Sequence, residues 1–90
     1  MLNVVLSNQF KKDLKLMNRR HVDLEQLESV VNKLANQEVL DERYHDHALI
    51  GDYAGYRECH IKPDWLLVYR TNDNELYLFL SRTGTHSDLF

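Results

Sequence analysis

The stretch "YRECHIKPDWLLVYRTNDNELYLFLSR", Tyr56–Arg82, decides the fold. It holds three strand-like runs, Tyr56–Lys62, Trp65–Arg70 and Glu75–Arg82, separated by Pro63-Asp64 and by "TNDN" at Thr71–Asn74. Proline presets φ, and Asn and Asp side chains hydrogen-bond nearby backbone, so both separators read as turns. Their shortness makes the connections hairpins, and the spacing predicts an antiparallel meander of three strands.

Upstream, Leu2–Leu6 is a short Val-rich run that reads as a further strand. Ser7 can cap a helix in which Phe10, Leu14 and Met17 recur at helical spacing, with Lys11, Lys15 and Arg19 on another side. Asp23 with Gln26 suggests a capping box for a second helix, whose buried stripe is Leu24, Leu27, Val30 or Val31, and Leu34. Between this helix and the meander lies "NQEVLDERYHDHALIGDYA", Asn36–Ala54, where helical periodicity lapses. Loops of that length are uncommon in compact domains and are often functional. The expected order is β-α-α-β-β-β: an α+β protein with two N-terminal helices on one face of a small antiparallel sheet. Residues 1–90 are expected to form a single domain, since ninety residues leave no room for a second core.

Composition narrows the function. With 43% hydrophobic and 28% charged residues the chain has the balance of a folded globular protein. One cysteine, Cys59, rules out an internal disulfide framework and fits a reducing compartment. No run approaches the roughly 18 apolar residues of a bilayer span, and "MLNVVLSNQF" lacks a basic leader, so the expectation is a cytoplasmic protein without a membrane. The net charge of −3 hides an asymmetry: "KKDLKLMNRR" is basic, whereas Asp23–Asp46 is dominated by acids. That pattern fits either a solvated helix face or a local footprint for a polyanion.

Five histidines carry the chemistry, four of them from His45 onward. Alternation places Tyr56, Glu58, His60 and Lys62 on one face of their strand and Arg57, Cys59 and Ile61 on the other. A face of Tyr, Glu, His and Lys is too polar for a core. His47 precedes this strand, Asp64 follows it, and His86 lies beyond the last strand, so adjacent element ends could bring these groups together. Metal chemistry finds only the weak H-x-H of His45–His47, without H-E-x-x-H or paired Cys-x-x-Cys, so neither metal nor cofactor is expected. Acyl transfer lacks G-x-S-x-G, and Cys59 points away from His60. Metal-free RNA cleavage fits better: imidazoles can take a proton from a ribose 2′-hydroxyl and give one to the leaving 5′-oxygen near neutral pH. Arg57 and Arg82 offer charge to phosphate, and Phe90 a ring for base stacking.

Taken together, "DHALIGDYAGYRECHIKPDWLLVYR" and "LFLSRTGTHSDLF" resemble the YafQ branch of the RelE superfamily of toxin–antitoxin toxins. The resemblance implies a ribosome-dependent mRNA endonuclease, held inactive by a cognate antitoxin and meeting operator DNA only through the antitoxin complex. Its functional positions fall on His47, His60, Asp64, Arg82, His86 and Phe90. The resemblance makes His86 the proton donor and leaves His47, His60 and Asp64 to share proton acceptance and substrate orientation. Lys11 and Lys15, on the basic helix, become the expected rRNA contacts. Two other outcomes share the fold: a non-enzymatic inhibitory module acting on a protein target such as gyrase, and a degenerate toxin kept for antitoxin binding and autoregulation.

Overall fold

A computed structural model describes the chain from Met1 to Phe90. Strand β1 (Asn3–Leu6) leads through Ser7 into α1 (Asn8–Arg19), and α2 (Leu24–Ala35) follows. The Ser7 hydroxyl accepts the Phe10 amide at 2.8 Å, as the sequence suggests. At α2 the expected box is a single cap: Asp23 accepts the Glu25 amide at 3.0 Å. Strands β2 (His47–Ala48), β3 (Arg57–Lys62), β4 (Trp65–Asn72) and β5 (Tyr77–Gly84) come next, and a short helix α3 (His86–Leu89) follows them.

The sheet has five strands in the order β1-β5-β4-β3-β2. The meander is antiparallel as expected, while β1 joins the far side of β5 in parallel. No hairpin can join parallel neighbours: α1 and α2 carry the chain from β1 to β2 at the opposite edge of the sheet, and the meander returns it to β5. Both helices cover one face. Phe10, Met17, Leu27, Val30 and Leu34 pack there against Cys59, Ile61, Trp65, Leu67, Tyr69, Leu78 and Leu80. On the opposite face a smaller cluster of Leu66, Val68 and Leu89 is flanked by Leu49, Tyr53 and Tyr56. That second face carries the site.

Three segments depart from the expected pattern. The long loop is not structureless: a 3₁₀ turn at Glu42–Tyr44 buries Tyr44, β2 pairs with β3, and a second 3₁₀ turn spans Gly51–Tyr53. The β4–β5 turn lies later than "TNDN", because Asn72 Oδ1 accepts the amides of Asn74 and Glu75 and so closes the turn behind it. The tail is helical: the Thr85 hydroxyl accepts the Asp88 amide at 3.2 Å, and Asp88 returns a bond to the Thr85 amide at 2.9 Å. The capping box expected at α2 is therefore found at α3.

Candidate active site

The register of β2 on β3 sets His47 directly opposite Glu58, and alternation puts His60 on the same face as Glu58. One carboxylate oxygen, Glu58 Oε1, consequently lies 3.5 Å from His47 Nε2 and 3.5 Å from His60 Nε2. Glu58 is buried, at 6% exposure, so its charge requires partners, and these two imidazoles are the ones it has. Each ring turns its other nitrogen to a backbone carbonyl: His47 Nδ1 is 3.2 Å from Ala48 O, and His60 Nδ1 is 3.3 Å from Pro63 O. With Nδ1–H donated to the carbonyl, Nε2 keeps its lone pair toward the site, and a proton gained there is balanced by Glu58.

The third imidazole is held differently. His86 Nδ1 lies 3.1 Å from Asp64 Oδ1, and the same oxygen accepts the His86 amide at 3.3 Å. These two bonds, side chain first, hold the Asp64 carboxyl below its ordinary range. Asp64 is thereby bonded to His86, a contact that neither proton acceptance nor substrate orientation, the roles expected of it, had suggested. The His86 and His60 ring centroids are 5.8 Å apart, those of His47 and His60 6.5 Å. The four expected groups are thus together. His45, itself exposed, lies edge-on to His60 at 5.7 Å.

Two arginines expected at the phosphate have other partners. Arg57 faces away from His60, as alternation requires, and Asp46 binds its Nε and Nη2 at 3.4 and 3.2 Å, so it is not brought to the histidines. Asp46 also accepts the Tyr69 hydroxyl at 2.6 Å. Arg82 Nε and Nη2 donate to the buried Asp13 of α1 at 2.9 and 3.2 Å, and Asp13 also accepts the Thr83 amide. Arg82 nonetheless keeps about a quarter of its side chain exposed, 24%, and reaches the Asp88 carbonyl of α3 at 3.5 Å.

Sequence reasoning missed what secures α3. Arg20, counted among the basic surface residues, instead makes two bonds to Asp88 at 2.8 and 3.2 Å. Those bonds, followed by the Thr85 amide, hold the Asp88 carboxyl well below the usual range. Gly84 is required beside it, since a Cβ there would stand 3.0 Å from the Asp88 side chain. Phe90 is 59% exposed and meets Tyr53 edge-on at 5.4 Å. Lys11 and Lys15 are exposed on α1, and no carboxylate pairs with them. Cys59 is buried, with its thiol pushed up to about 12 by burial, which suits packing and not nucleophilic attack.

One set has ligand geometry for a cation: His47, Glu58 and His60 each offer an atom within 4.8 Å of the others. Two imidazoles and a carboxylate can bind a transition metal. An ion there would occupy the lone pairs that proton acceptance uses.

An α+β sheet with both long helices on one face and imidazoles gathered with carboxylates on the other defines the class: a small RelE-like toxin fold. Residues 2–90 match the family model described as "Bacterial toxin of type II toxin-antitoxin system, YafQ", and the chain belongs to that family. The mRNA interferase toxin YafQ of Escherichia coli K12 is 40% identical over 89 residues, covering 98% of this chain and 95% of the relative. A crystal structure of a metal-bound toxin from Helicobacter pylori superposes with a TM-score of 0.94 at 47% identity, over 100% of both chains. The toxin in the E. coli DinJ–YafQ complex superposes at 0.90 with 40% identity, over 100% of this chain and 99% of its own.

Proposed function

We propose that the chain is a cytoplasmic mRNA interferase that inhibits translation by cutting mRNA on the ribosome, and that a cognate antitoxin holds it inactive. The observation that carries this reading is the division of the imidazoles. One, His86, is oriented by an exposed carboxylate; His47 and His60 share a buried one, and the His60 ring lies 5.8 Å from that of His86. General acid–base cleavage of RNA needs two proton-transfer groups placed apart in this way. The relatives named above support the assignment of substrate and partner.

His60 is the base we assign, because its ring is near both others, 6.5 Å from that of His47 and 5.8 Å from that of His86. Its Nε2 accepts the 2′-hydroxyl proton as that oxygen bonds to phosphorus. The bond from phosphorus to the 5′-oxygen breaks, and His86 gives that oxygen a proton from Nε2 while Asp64 holds Nδ1–H. The products are a 2′,3′-cyclic phosphate and a 5′-hydroxyl. Glu58 balances the imidazolium formed at His60, and His47 shares that carboxylate. Arg82, with its plane fixed by Asp13, offers its exposed edge to the phosphate. The ring of Phe90 is free to stack on a base. Lys11 and Lys15 contact rRNA phosphates and bring the acidic chain to the ribosome. A cation held by His47, Glu58 and His60 would supply Lewis-acid stabilisation of phosphate charge; the steps above use side chains alone.

The complete set of proton donor, acceptor and orienting carboxylates argues against a pure binding module or a degenerate toxin, neither of which needs groups titrating near neutrality. Primer extension on mRNA from a translating extract tests the reading. Cuts with 2′,3′-cyclic phosphate ends are expected, and they should persist under a zinc-selective chelator at constant magnesium. A 3′-hydroxyl end, or loss of cutting under that chelator, would refute the metal-free steps.

A further inference from the structure

A groove of about 740 Å³ opens beside His60, between α2, the Glu42–Tyr44 turn and the β3–β4 hairpin. Its polar lining is Gln26, Ser29, Arg43, His45, His60 and Lys62. Its volume lies within the roughly 300–1,000 Å³ of clefts that hold small ligands. The charge of that lining sets it apart. The groove beside the loop that precedes β2 is lined by Glu38, Asp41, Glu42, Asp46 and Asp73 against Arg57, and a shallower one along α2 by Glu25, Glu28 and Glu38 against Lys33. The groove beside His60 contains no carboxylate, although the chain carries a net charge of −3.

Its two permanent cations are not consumed by ion pairs. Arg43 lies over the Tyr44 ring at 4.8 Å and donates to its hydroxyl at 2.8 Å, so the guanidinium is positioned without being neutralised. Lys62 is exposed, and no carboxylate lies within ion-pair distance of it. His45 is exposed on the groove's lining, in a left-handed backbone conformation (φ 48°), with its ring against His60. Cations fixed beside flat rings suit a phosphate joined to a base.

We infer that this groove seats the mRNA nucleotide on the 5′ side of the cut, with Arg43 and Lys62 on its upstream phosphate and His45 against its base. The inference rests on the reading of the chain as an mRNA-cutting toxin. The direction follows from the proton transfers. The nucleotide that carries the attacking 2′-hydroxyl belongs at the base, His60, and the leaving 5′-oxygen at the acid, His86. His45 and His86 contact the His60 ring at 5.7 and 5.8 Å, and only His45 and His60 line the groove. The strand therefore runs 5′ to 3′ from the groove, past His60, to His86.

The test maps mRNA cuts on programmed ribosomes across a range of toxin concentrations, using wild type, His86→Ala, His45→Ala and the double variant Arg43→Gln/Lys62→Gln. The double variant should need on the order of tenfold more toxin for half-maximal cutting, the worth of one or two charge-assisted contacts. Its rate at saturating toxin should fall less. His45→Ala should change the nucleotide preference immediately upstream of the cut and leave the downstream preference as it was. Should the double variant lose its fold, Lys62→Glu at an exposed position gives the same reading. The groove assignment is overturned if all these variants keep the wild-type half-saturation and cut profile. It is equally overturned if they lose affinity for ribosomes without mRNA to the same extent, which would make the groove an rRNA contact. Wild type that cuts no better than His86→Ala would instead sink the proposed function itself.

Discussion

The two halves of the site are built on opposite principles. His47 and His60 stand on paired strands and share a carboxylate buried to 6% exposure. His86 stands on a four-residue helix, and its carboxylate partner Asp64 has a side chain 71% exposed. The sheet half is kept in place by backbone pairing and by the cost of leaving Glu58 unpaired. The tail half is kept in place by side chains: the Thr85–Asp88 box, Arg20 on Asp88, and Arg82 on the Asp88 carbonyl. Damage to the first should therefore cost activity and structure together, whereas damage to the second should cost activity with little loss of fold.

The largest expected effect breaks the tail half. His86→Ala should lower cleavage by on the order of 10²-fold or more, as for loss of a general acid. Its thermal midpoint should stay close to wild type, since the side chain is 55% exposed. Glu58→Gln then probes the sheet half by keeping shape and removing charge. Cleavage should fall by about 10-fold to 100-fold, and unlike His86→Ala this variant should also shift the thermal midpoint. Equal stability in both variants would erase the contrast.

Deleting Phe90 should reduce cleavage about 30-fold, the middle of what a base stack is worth. A ring 59% exposed contributes little to the core, so a strongly destabilised deletion would contradict the placement. Arg20→Ala should lower cleavage by a few-fold, and Arg20→Lys should restore part of it. That rescue separates positioning of α3 from a lost rRNA contact if ribosome binding is measured alongside.

The smallest effect concerns acid stability. The Asp88 carboxyl is lowered in the folded chain, chiefly by Arg20, so its contribution is complete above the ordinary Asp value of about 3.9 and is lost as pH falls through the depressed folded value. The denaturation midpoints of wild type and Asp88→Asn should accordingly differ by a constant amount from pH 5 to 7 and converge below about pH 4.

What the sequence disclosed was local. Ser7 announces α1, Pro63-Asp64 announces a hairpin, and alternation alone turns Cys59 to the core and His60 to the site. His47, His60, Asp64 and His86 could be gathered because a recurring motif ties their spacings to one fold. The rest depended on contacts far apart in the chain. Two-residue β2 has no signal of its own and exists through its pairing with β3, which is also what makes Glu58 central. Asp13 and Arg20 sit in "KKDLKLMNRR", where charge suggests a uniform basic surface, yet each is claimed by a residue from the C-terminal end. Only α3 left a sign that could have been used: Thr85-x-x-Asp88 is a box in the sequence itself.

The grip of α1 on the tail has a further meaning for how activity decays. Asp13 with Arg82 and Arg20 with Asp88 join residues 69 and 68 positions apart. Closing so wide a span costs chain entropy that is met jointly with the β1–β5 pairing and the Ser7–Ser81 bond, so these bonds hold only while the intervening helices and sheet are assembled. Alignment of His86 is then a property of the whole cooperative unit, not of its neighbourhood. On heating, cleavage should vanish at or before global unfolding, leaving no regime in which a partly melted chain still cuts.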